Sequence, residues 1–132
     1  MPEQMPGEAT RPLRILVVDD QPVLCEVIAE SFARDWHTVV TACNGREALQ
    51  KFEAEHFDLV VTDKAMPELN GDQLAAAVKA RSPATGVIML TGFTEAAELD
   101  GDSEFIDAVL TKPATTAELR EVIGKVMRRP RR

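Results

Sequence analysis

Short apolar runs recur along the chain, and each is followed by a stretch with helical spacing. Leu13 to Val18 is apolar except at Arg14, the pattern of a strand buried on both faces of a parallel sheet. Pro22 suits a first helical turn, and Val23, Leu24, Val27, Ile28 and Phe32 then repeat at helical intervals, which predicts a helix. Thr38 to Ala42 predicts a second strand. Asn44 reads as the cap of a second helix, with Glu47 as its capping partner and Ala48, Leu49 and Phe52 as its stripe. Asp58 to Asp63 predicts a third strand, Asn70 and Gln73 repeat the capping arrangement before Leu74, Ala77 and Val78, and Gly86 to Leu90 predicts a fourth strand. A short strand at Ala108 to Leu110 precedes a last helix, opened by Thr115 and Glu118, with Leu119, Val122, Ile123, Val126 and Met127 on one face.

Five strands alternating with helices predict an α/β fold, a three-layer doubly wound parallel sheet with right-handed crossovers. In such sheets ligands sit outside the carboxyl ends of the strands, near the point where strand order reverses. Residues 1–12 are polar with three prolines and read as a flexible arm. Residues 13–127 form the single expected domain, and 128–132 a basic tail.

Composition narrows the function classes. A chain of 132 residues with 45% hydrophobic and 28% charged residues is that of one globular domain. No apolar run approaches a membrane span, and the opening MPEQMPGEATRP lacks the apolar core of a secretion signal, so a cytoplasmic protein without membrane contact is expected. The net charge is −7, and because the terminal RRPRR contributes +4, the rest carries −11. An acidic body disfavours nucleic-acid binding. Cys25 and Cys43 fall in no CxxC motif and read as reduced thiols, and His37 and His56 have no partners at zinc-ligand spacing.

Candidate chemistry lies at the predicted strand ends: Asp19 and Asp20 after the first, Asp63 after the third, Thr91 after the fourth, Lys112 after the fifth. Singly, each residue type is common as a cap, a turn residue or a solvated charge. Together, three carboxylates at one end of a sheet repel one another and call for more positive charge than one lysine provides. A hard divalent cation such as Mg²⁺ (or Mn²⁺), with its preference for carboxylate, water and phosphate oxygens, is the economical solution. The set reads as a metal-assisted phosphoryl site. Asp63 is the best nucleophile, attack by its carboxylate giving an acyl phosphate. Asp19 and Asp20 would hold the metal, and Thr91 and Lys112 would each meet a phosphoryl oxygen.

The segments ILVVDDQP, ACNGREAL, DLVVTDKAMPELNGDQL, VIMLTG and LTKPATTAEL, in this order, resemble the CheY-like receiver domains of response regulators in two-component signalling, over Leu13 to Met127. The resemblance implies a flavodoxin-like strand order of 2-1-3-4-5. It implies that Asp63 accepts a phosphoryl group from a sensor histidine kinase or a histidine phosphotransfer protein. Asp20, Asp63 and the backbone carbonyl of Ala65 would be direct Mg²⁺ ligands, with Asp19 acting partly through water. Thr91 would move toward the phosphoryl group, Lys112 would clamp it, and the Lys112–Pro113 peptide would be cis. On this reading the protein is a switch rather than an enzyme, catalysing only its own phosphorylation and dephosphorylation.

Departures from the family pattern sharpen the expectations. The aromatic residue that receivers often carry three positions before the lysine is Val109 here, and Phe105 stands where a glycine commonly closes the helix before the fifth strand, Gly101 coming earlier. That helix is expected to be short or irregular. Between Glu95 and Asp107 there are six acidic residues and no basic one, so the common dimer through the last strand and its flanking helices is not expected, and a monomer is. Ala65, which cannot position an attacking water, and Phe93, which could shield the site from solvent, predict a phosphorylated state longer-lived than in receivers with polar groups at both places.

An aspartate-nucleophile phosphatase would need a spaced DxD after the first strand, and a flavin or dinucleotide site a phosphate loop that DDQP would repel. An interaction module that is never phosphorylated stays open beside the switch. With only RRPRR after the last helix, a free-standing receiver, or a piece of a larger hybrid kinase, is expected to act on a downstream protein.

Overall fold

The computed structural model describes residues 12–92 and 104–128. Most of the expected arm, Phe93, Gly101, most of the acidic stretch and Arg129, Arg131 and Arg132 lie outside the described residues.

The elements run β1 (Arg14–Val18), α1 (Pro22–Ala33), β2 (Thr38–Ala42), α2 (Gly45–Ala54), β3 (Leu59–Asp63), α3 (Gly71–Arg81), β4 (Gly86–Thr91), β5 (Ala108–Thr111) and α4 (Thr116–Arg128). The five strands form one parallel sheet in the order β2-β1-β3-β4-β5, the doubly wound order expected. The period of two divides each central strand between two cores. Ile15 and Val17 of β1, with Leu59, Val61, Ile88 and Leu90, pack under α1 and α4 against Phe32, Leu119 and Ile123. Leu16 and Val18, with Val60 and Val87, pack on the other face under α2 and α3 against Phe52, Phe57, Leu74 and Val78.

Several local details depart from the sequence patterns. β1 begins at Arg14 rather than Leu13 because the Leu13 amide donates instead to His37 Nδ1 at 3.0 Å. β3 begins at Leu59 rather than Asp58, whose side chain accepts the Arg14 amide at 2.9 Å and takes the place of a ladder carbonyl. β4 and β5 each run one residue further than expected, to Thr91 and Thr111, which pair with each other. In α1 the buried face is Cys25, Ile28 and Phe32, while Val23 and Val27 are 72% and 57% exposed. Helical spacing alone groups all the apolar positions, but only one side of α1 meets the sheet.

The caps explain where the other helices start. Asn70 and Gln73 form a reciprocal capping box at α3, and Thr115 and Glu118 do the same at α4. At α2 the Asn44 side chain accepts the Glu47 amide at 2.7 Å, but the Glu47 carboxylate reaches past Asn44 to the Cys43 amide at 2.9 Å. Its second oxygen is held by Lys51 at 2.9 Å, which draws Glu47 along the helix side rather than back over the cap. Among the described residues no helix is long and apolar enough to cross a membrane.

Candidate functional site

β1, β3 and β5 bring their charged ends together at the carboxyl edge of the sheet. Each of Asp19, Asp20 and Asp63 has a carboxylate oxygen within 4.8 Å of the others. Asp19 and Asp63 are buried and Asp20 is exposed. Asp19 is held from several sides: its amide donates to the Ala42 carbonyl at 3.1 Å, its Oδ1 accepts the Gln21 amide at 2.9 Å, and its Oδ2 lies 3.4 Å from Lys112 Nζ. The buried Cys25 thiol lies 3.4 Å from the Asp19 carbonyl, and burial pushes it up to about 11, so this thiol is a packing group rather than a nucleophile. Both cysteines are free.

Lys112 follows β5 and reaches back across the sheet end, its Nζ 2.8 Å from Asp63 Oδ1. Its amide donates to the Thr91 carbonyl at 2.7 Å, and the Lys112–Pro113 peptide is cis. Burial alone would lower the lysine's affinity for its proton, but Asp63 and Asp19 more than offset this and hold it above its ordinary value. The reverse does not hold for the acid. Burial, followed by repulsion from Asp19 and Asp20, outweighs the pull of Lys112 and leaves Asp63 above the ordinary carboxylate value. One lysine faces three carboxylates at this sheet end, an imbalance that a second cation would relieve.

Thr91 ends β4 fully buried, and its Oγ1 has no hydrogen-bond partner among the described residues. A buried hydroxyl without a partner is uncommon and points to a group that completes it. Ala65, two residues past Asp63, is exposed in the β3–α3 loop, and Val109 is exposed on the edge strand β5. Two contributors escaped the sequence patterns. Gly71, the first residue of α3, lies against the Asp63 carbonyl, where an added Cβ would come within 2.5 Å of that oxygen. Lys64, next to Asp63, pairs with Asp72 across eight positions that no local periodicity relates.

The three carboxylates at this sheet end, their excess over the single lysine and a buried hydroxyl without a partner among the described residues together fit a hard cation and a phosphoryl group. Comparison with known proteins identifies the family. The model of the response regulator receiver domain matches residues 15–124. The chain is 34% identical over 110 residues to the autoinducer 1 sensor kinase/phosphatase LuxN of Vibrio campbellii, covering 83% of this chain but 13% of LuxN. Among solved structures, a response regulator receiver domain protein from Clostridium thermocellum superposes with a TM-score of 0.80 at 30% identity, covering 87% of this chain and 94% of that one. The response regulator TrrA of Thermotoga maritima, solved in complex with Mg²⁺–BeF, superposes with a TM-score of 0.78 at 34% identity, covering 86% and 97%. Fold, strand-end chemistry and similarity converge, and the chain belongs to the response-regulator receiver domains of two-component signalling, CheY-like switches rather than enzymes in the ordinary sense.

Proposed function

We propose that Asp63 is the phosphoacceptor of this receiver, taking its phosphoryl group from the phosphohistidine of a sensor kinase or a histidine phosphotransfer protein. An Asp63 carboxylate oxygen attacks phosphorus, an O–P bond forms, the N–P bond breaks and its electron pair returns to the imidazole nitrogen. The observation that carries the reading is the convergence of Asp19, Asp20 and Asp63 around Lys112, with a net excess of negative charge.

Asp20, Asp63 and the Ala65 carbonyl would hold Mg²⁺ or Mn²⁺ directly. Asp19 acts more indirectly, in keeping with its oxygens already engaged by the Gln21 amide and Lys112. When bound, the metal supplies charge stabilisation at the phosphoryl oxygens. Lys112 holds one phosphoryl oxygen, and the Thr91 hydroxyl finds in another the acceptor it lacks. The protein then works as a switch for contacts with a downstream protein.

The test is incubation with Mg²⁺ and acetyl phosphate, followed by intact-mass measurement. A gain of one phosphoryl group that disappears in Asp63→Ala supports the switch. No gain under any condition supports the second reading, an interaction module on the same fold, which the exposed Val109 in place of an aromatic residue favours.

A further inference from the structure

We infer that the Lys64–Asp72 ion pair is a positioning device that holds the Ala65 carbonyl ready for the metal. The inference rests on the proposed function and deepens it. Lys64 stands between the phosphoacceptor and the residue whose carbonyl would ligate the ion. Lys64 is the first residue past β3, and while Asp63 meets Lys112, Lys64 extends to α3. There its Nζ donates to Asp72 Oδ2 at 2.8 Å, with the two side chains only 16% and 19% exposed.

The backbone around it is held at the same place. The Lys64 amide donates to the Leu90 carbonyl at 3.0 Å, and the Lys64 carbonyl accepts the Gly71 amide at 2.9 Å. Gly71 leaves no room for a side chain, since a Cβ would lie 3.0 Å from Lys64 Cα and 2.5 Å from the Asp63 carbonyl oxygen. The loop carrying Ala65 is thus closed twice, by the bond between Gly71 and Lys64 and by the side-chain pair one residue beyond. Stability does not account for the pair. Asp72 Oδ1 is buried with no hydrogen-bond partner among the described residues, and a partly buried ion pair with an oxygen left over contributes little compared with apolar residues in the same space. What the pair does supply is a fixed direction for the peptide leading into Ala65.

Calorimetric Mg²⁺ titration of the full chain tests this, with Lys64→Met, Lys64→Arg and the double variant Lys64→Met/Asp72→Leu. The double variant removes both charges of the pair together, and urea unfolding checks that it is folded. Expected are a Kd for Mg²⁺ raised about tenfold in Lys64→Met and in the double variant, and near wild type in Lys64→Arg. Phosphorylation by acetyl phosphate should shift its half-saturating Mg²⁺ in parallel and recover at saturating Mg²⁺. Wild-type affinity in the folded double variant overturns the positioning role alone. A wild-type chain that binds no Mg²⁺ overturns the proposed function and the positioning role together.

Discussion

Acid should destabilise this protein through His37, at the end of β1 opposite the carboxylates. His37 is buried at the α1–β2 corner, its ring edge-on to Phe32 with centroids 6.3 Å apart. Its Nδ1 accepts the Leu13 amide at 3.0 Å, which only an unprotonated nitrogen can do. Burial lowers its pKa below the ordinary 6.5, against a weaker pull from Asp35. The unfolded chain therefore binds the proton more readily than the folded one. Stability is complete above 6.5 and falls as the pH drops below it, until the folded ring is protonated too. About one and a half pH units below that value the loss is at most about 2 kcal/mol, the limit reached if the folded ring stays neutral throughout. His37→Asn supplies the control, because its Oδ1 accepts in a similar position without titrating. Urea unfolding from about pH 8 to about pH 5 should show the wild type losing more stability than His37→Asn, by up to about 2 kcal/mol, all other titrating groups being common to both chains. Equal pH dependence in the two proteins would refute the reasoning.

Two further outcomes follow from the site. Thr91→Val should stabilise the Mg²⁺-free protein by about 1 kcal/mol in urea unfolding, since it removes a buried hydroxyl without a partner among the described residues, while slowing phosphorylation by acetyl phosphate; a destabilised variant would show that the hydroxyl is satisfied. Gly71→Ala should cost about 1 to 3 kcal/mol by the same assay, because its Cβ meets the backbone of Asp63 and Lys64 as well as the end of the Met89 side chain, and should weaken Mg²⁺ binding with it; unchanged values in both measurements would mean that the β3–α3 loop gives way freely.

The central strands were legible because β1, β3 and β4 are buried on both faces and so read as nearly continuous apolar runs. Asn70 with Gln73 and Thr115 with Glu118 were legible because a capping box is a contact between residues three apart. Where a local choice depended on a distant partner, the patterns misled. Val23 and Val27 carry the right spacing for a core stripe and face outward, away from the sheet. The strand starts at Arg14 and Leu59 depend on His37 and on the Asp58 side chain, neither of which a run of apolar letters registers.

By itself, then, the sequence determined the class of fold, the end of the sheet where chemistry collects and the residue types gathered there, because strand period, helix period and capping are short-range properties of the chain. Only the tertiary structure decided the rest. It set Lys112 2.8 Å from Asp63 across 49 positions, left the Thr91 hydroxyl buried without a partner among the described residues, and joined Lys64 to Asp72. Those distances and burials arise from packing between elements far apart in the chain, and they turn a list of polar strand ends into a site with a definite imbalance of charge.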